Sequence, residues 1–200
     1  MNGNANFFRQ NDVINSVLYE DVDAVKKITD SLLNTIPPKQ TIVIACIGTD
    51  RSTGDSLGPL VGSFLLHKME APFHVYGTLD EPIHAVNLHE KLGEINARHE
   101  NAFVIAVDAC LGRLKNVGSV QINQGPLKPG AGVNKKLPEI GDMHINGIVN
   151  VSGFMEFFVL QNTRLSLVMK MAQIIAESIY TSSQILERQK THKEMNWSLM

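Results

Sequence analysis

The chain has 200 residues, 44% of them hydrophobic and 19% charged, and a formal net charge of −2. That composition excludes a disordered chain and gives no whole-chain case for nucleic acid or an acidic membrane surface as partner. Two cysteines, Cys46 and Cys110, leave no room for a disulfide framework or a four-cysteine zinc site.

The length suits a single domain over 1–200, with loose ends at 1–10 and about 190–200. The first residues are polar and Asn-rich rather than signal-like, and no apolar run reaches spanning length. The expectation is a soluble, cytoplasmic protein.

In chain order, Asn11 or Asp12 is placed to cap a helix running to about Leu33, with Val13, Val17, Leu18, Val25, Ile28 and Leu32 as its apolar stripe. Pro37 and Pro38 end it. The run 42–47 (Ile-Val-Ile-Ala-Cys-Ile) reads as a strand buried on both faces. A polar loop follows, Gly48-Thr49-Asp50-Arg51-Ser52-Thr53-Gly54-Asp55-Ser56, and Leu57-Gly58-Pro59 opens a helix to about Met69. Proline is favoured just inside a helix start, where its missing N–H would have been unpaired. A second strand is expected over 73–77, a helix over 84–98 carrying Val86, Leu88, Leu92 and Ile95, and a third apolar strand over 102–107 that ends at Asp108.

This β-α-β-α-β alternation predicts a parallel, doubly wound sheet. The segment 117–123 alternates and reads as a more exposed strand. The stretch 125–141 is rich in Gly, Pro and Lys and reads as a long loop, of a length that is uncommon unless it has a task. A strand over 144–151 and helices over 154–160 and 163–189 complete the chain.

Asp55 and Asp108 are the leading candidates for chemistry. Each lies at the carboxyl end of a predicted strand, where open α/β sheets bind ligands. If the two strands are neighbours across the switch point, the carboxylates meet, one keeps its proton, and the pair can act as acid and base on water. The bland alternative is that Asp55 caps the following helix and Asp108 merely ends a strand. Gly54 and Ser56 beside Asp55, and Gly130, Gly132, Asn134 and Lys135 in the long loop, are candidates for holding substrate. A solvated connection is the alternative for that loop.

His144 could add a third ligand if the carboxylates hold a metal, since imidazole and carboxylate both suit zinc or nickel; a structural histidine is the alternative. No cofactor is expected otherwise. Asp50 with Arg51 reads as a loop-shaping ion pair, and Asp142 as a turn residue. Cys110 with His144 is a conceivable nucleophile pair, against the simpler reading of a small residue in a packed turn. The loop 48–55 lacks the Gly-Lys-Ser/Thr ending of a phosphate loop and has no Gly-x-Ser-x-Gly elbow.

Three segments carry a family resemblance: 48–59, then Val107-Asp108-Ala109-Cys110-Leu111-Gly112-Arg113, then 125–135 with its Pro-Gly-x-Gly-Val-Asn-Lys core. Over nearly its whole length the chain resembles the YyaC-type sporulation proteins. Over roughly 42–151 it more distantly resembles the catalytic domain of the spore germination protease. In that protease two aspartates are thought to form the catalytic pair, and they match Asp55 and Asp108. The first motif is also similar to that of the hydrogenase maturation endopeptidases, which hold a metal with carboxylates and a histidine; His144 is the counterpart by order alone.

The resemblance implies a three-layer α/β/α sandwich with a mostly parallel sheet, of the phosphorylase/hydrolase-like, hydrogenase-maturation-protease type. It implies a sporulation-associated peptidase of forespore or spore, acting on a peptide or small protein such as the small acid-soluble spore proteins. Set against that resemblance, the chain is expected to lack the propeptide-bearing and extra segments of the germination protease. A non-catalytic sporulation factor that binds a peptide or partner, and a metal-dependent maturation-type endopeptidase, are therefore the alternatives. A homo-oligomer is compatible with all three.

Overall fold

The computed structural model describes residues 13–68, 72–129 and 137–197, with side chains to 191. Six strands form one sheet: β1 (Val13–Leu18), β2 (Ile42–Cys46), β3 (His74–Tyr76), β4 (Phe103–Gly112), β5 (Ser119–Gln124) and β6 (Met143–Val151), in the order β1-β5-β6-β4-β2-β3. β3, β2, β4 and β6 pair in parallel, and β5 runs antiparallel to both β6 and β1. The sheet is therefore mostly parallel, as expected.

The helices are α1 (Ala24–Thr35), α2 (Leu57–Leu66), α3 (Leu88–Arg98), α4 (Glu156–Gln161) and α5 (Leu165–Trp197). They make two layers. Ile42, Ile44 and Cys46 of β2 with Ile105 and Val107 of β4 pack under α1, α2 and α5, through Ile28, Leu32, Leu57, Val61, Val168 and Ile175. The alternate residues Val43, Ala45 and Ala106 pack against Leu88 and Ile95 of α3 and against Leu127 and Ile140. Strands buried on both faces need such continuous apolar runs, which is how β2 and β4 read. No helix among the described residues is long and apolar enough to cross a membrane.

Several expectations are corrected. Residues 13–18 form an edge strand, not the start of a helix. Val13 and Val17 fit a helical period, but the alternate burial here follows a strand paired with β5. The helix starts only at Ala24, after a turn in which the Asp23 N–H donates to Asp21 Oδ1 at 2.9 Å. Asn11 and Asp12 lie outside the described residues.

The third helix is shorter than expected. The Asn87 side chain accepts from His84 N–H (2.8 Å) and donates to the Pro82 carbonyl (3.0 Å), building a turn that leaves Val86 89% exposed. The segment read as a more exposed strand is largely buried as β5. The final helix continues to Trp197 rather than stopping near 189.

Candidate active site

The loop after β2 is shaped by close backbone approaches. A Cβ on Gly48 (φ +148°) would come within 2.0 Å of the Asp55 carbonyl oxygen, and one on Gly58 within 2.1 Å of the Ile47 carbonyl. Both contacts need glycine. The Asp55 carbonyl accepts from Thr49 N–H at 3.1 Å, so the loop closes on itself just where Asp55 leaves it. Gly62 meets the Gly77 carbonyl, and Gly77 meets that of Cys46, in the same side-chain-free manner. α2 therefore lies directly on the strands that carry it.

Asp108 is reached from the neighbouring strand. β2 and β4 are adjacent and parallel, with Cys46 level with Val107. β2 ends there, but β4 continues to Gly112 along β6. The expectation that the strand stops at Asp108 is thus corrected. Asp108 lies mid-strand, one step beyond the end of its neighbour, at the crevice where connections diverge from an open sheet. The loop 48–56 fills the side that β2 vacates.

Both carboxyls are driven toward the neutral form. Burial, then the charge of Asp55, pushes Asp108 up to about 8, opposed by a hydrogen bond from Ala109 N–H to its Oδ1 at 2.8 Å. Asp108 is half-buried, at the end of the sheet where β2 stops. Burial also raises Asp55. The Ser52 hydroxyl makes no hydrogen bond of ordinary geometry, but it is close enough to Asp55 to favour its charged form. The charge of Asp55 adds to burial in raising Asp108, and two carboxyls that meet would hold one proton between them.

Other candidates resolve differently. The Gly54 N–H donates to the Leu160 carbonyl at 2.9 Å, and a Cβ there would strike Leu160. The Ser56 hydroxyl donates to the Thr53 carbonyl at 2.7 Å. These two residues pin α4 and close the turn, so their polar groups are committed internally rather than offered to substrate. Gly130, Gly132, Asn134 and Lys135 lie outside the described residues. The N-cap of α2 is Ser56, not Asp55, and it makes no side-chain cap hydrogen bond; the Asp50–Arg51 ion pair does not form among the described residues. Both residues are exposed, where such a pair stabilises little. Asp142 is a turn residue as expected: its Oδ2 accepts from Val104 N–H at 2.8 Å.

The metal set does not assemble. Among the described residues no group of three His, Cys, Asp or Glu side chains could hold an ion. His144 is level with Ala106, two residues short of Asp108 along the strand, and its Nδ1–H donates to the Gly125 carbonyl at 2.9 Å. Level with Asp108 is Asn146. Asn146 is buried, and the sequence reading did not single it out. The signal available was its place two residues after His144, on the same face of an alternating strand. Burial, with the charge of Asp108 added, raises the Cys110 thiol to about 12, which leaves little thiolate at neutral pH. Cys46 is raised by burial alone.

The chain matches the family model described as "Protein of unknown function (DUF1256)" over residues 16–178. It belongs to the DUF1256 family. "Uncharacterized protein YyaC" of Bacillus subtilis (strain 168) is 58% identical over 186 residues, covering 92% of this chain and 91% of that one. Among solved structures, the [NiFe] hydrogenase maturation protease HycI from Thermococcus kodakarensis KOD1 aligns with a TM-score of 0.52 at 20% identity, over 76% of this chain and 98% of its own. At that identity the likeness is one of fold: this DUF1256 chain has a mixed α/β fold similar to that of HycI.

Proposed function

We propose that this DUF1256 protein is a peptidase in which Asp55 and Asp108 activate water. The observation that carries the reading is the placement of Asp108 one residue beyond the end of β2, with the loop that bears Asp55 leaving that same strand end. In that pair Asp108 is the proton holder and Asp55 the carboxylate.

The chemistry follows from that division. Asp55 takes a proton from water as the water oxygen bonds to the carbonyl carbon, and Asp108 gives its proton to the carbonyl oxygen. On collapse the C–N bond breaks, the amine takes the proton from Asp55, and a hydroxyl of the tetrahedral intermediate returns one to Asp108. Water and a peptide bond become an acid and an amine, and the pair is restored. Among the described residues Asp55, Asp108 and His144 do not gather as a ligand set, so in this reading the carboxyl pair itself activates the water.

The distant resemblance to the germination protease supports a place in sporulation, within the forespore or spore, and a small acid-soluble spore protein as substrate. Purified protein mixed with such a spore protein is expected to cleave it, and Asp55→Asn and Asp108→Asn are each expected to stop the cleavage. Equal cleavage by all three proteins, or none by the wild type, would refute the reading.

A further inference from the structure

Asn146 stands directly across from Asp108 in the parallel β4–β6 register. Met143, Ile145 and Val149 of β6 point into the layer of α1, α2 and α5, and a Cβ on Gly147 would meet Leu57 and Met171 of that layer. By alternation Asn146 faces the other way. Asp108 shares that side with Ala106, which packs in the opposite layer. The two polar side chains therefore lie side by side on one face.

Asn146 is only 1% exposed, and among the described residues neither its Oδ1 nor its Nδ2 has a hydrogen-bond partner. Native proteins rarely leave both ends of a buried carboxamide empty, and such a group calls for a missing ligand or water. A carboxamide offers an acceptor and two donors in one plane. That is the complement of a peptide group, which offers one donor and one acceptor.

We propose that Asn146 contacts the substrate main chain, its Nδ2 donating to the carbonyl oxygen of the bond to be cleaved and its Oδ1 accepting from a substrate N–H. A carbonyl oxygen has two lone pairs. Asp108 addresses one and Asn146, beside it, the other. Asn146 would hold the carbonyl carbon toward the water and steady the negative charge that develops on the oxygen. The proposal rests on the peptidase reading of Asp55 and Asp108.

The test uses Asn146→Leu, which keeps the approximate shape and removes the polar atoms. A residue kept for substrate is dispensable to the fold, so the melting temperature should stay level or rise. A drop of several degrees would assign Asn146 to structure and overturn the proposal. Cleavage of a small acid-soluble spore protein should fall about 100-fold, mostly in kcat; a wild-type rate would overturn it.

A third measurement separates this inference from the aspartate reading. The same spore protein is titrated against Asp55→Asn with and without Asn146→Leu. Binding at least tenfold weaker in the double variant supports the contact even if no cleavage is seen. Equal binding, or none by either, overturns it.

Discussion

The carbonyl oxygen of Asp55 occupies the place where a side chain on Gly48 would begin, 2.0 Å from that missing Cβ. The glycine therefore sets where the loop returns, and so where the Asp55 carboxyl is delivered. Gly48→Ala adds the clash to an unfavourable φ of +148°. The expected loss is about 3 kcal/mol or more. Urea unfolding of the two proteins measures it, and an unchanged midpoint would contradict the account of the loop.

Substitution of the acids is expected to cost about 10²–10⁴-fold in hydrolysis for each of Asp55→Asn and Asp108→Asn. The double variant should be little worse than either single one, because the two act as a unit. Additive losses, measured as kcat on the same substrate, would show that the carboxyls work independently.

Activity should depend on pH in a bell. The acidic limb reports ionisation of Asp55, raised above the ordinary carboxylate range by burial. The alkaline limb falls near 8, where Asp108 loses its proton. A pH–rate profile flat through 8 and 9 would contradict the assignment of Asp108 as proton holder.

Stability should depend on pH through the same residue. Unfolded, an aspartate titrates at about 3.9; in the folded protein burial and the charge of Asp55 push Asp108 up to about 8. Between those values the native protein keeps a proton that the unfolded chain has released. The contribution is fully present below about 4 and is lost as pH climbs through 8, at up to about 1.4 kcal/mol per pH unit. Asp108→Asn should remove that slope, so the variant gains on the wild type as pH rises from 5 to 8. Parallel stability curves for the two proteins would refute it.

The thiols give a simpler check. Cys110 is raised to about 12 and Cys46 is raised by burial. At pH 8 a thiol reagent should find neither in the native protein and both free cysteines after unfolding. Rapid reaction of Cys110 in the folded state would show that its surroundings are more open than described.

Much of this site is written in local chemistry. The apolar runs of β2 and β4 announce strands buried on both faces, and the spacing of Gly48, Asp55 and Gly58 announces a loop with backbone packed on backbone. What was not legible depends on partners distant in sequence. β1 carries valines at a spacing that suits a helix or a strand, and only the free edge of β5 decides between them. β4 runs past Asp108 because β6 continues to pair with it. Asn146 could not be matched with Asp108 by composition, because inter-strand register is a property of the assembled sheet. His144 drew attention instead, because a histidine advertises metal chemistry and an asparagine does not.

The position of Asp108 within a strand, rather than at its tip, divides the two acids mechanically. Asp108 is anchored on both sides along the chain by ladder bonds to β6, whereas Asp55 rides on a turn. Any adjustment of the gap between them has to come from the turn. The sheet supplies a fixed reference, and the nine residues from Gly48 to Ser56 set the position of Asp55 against it.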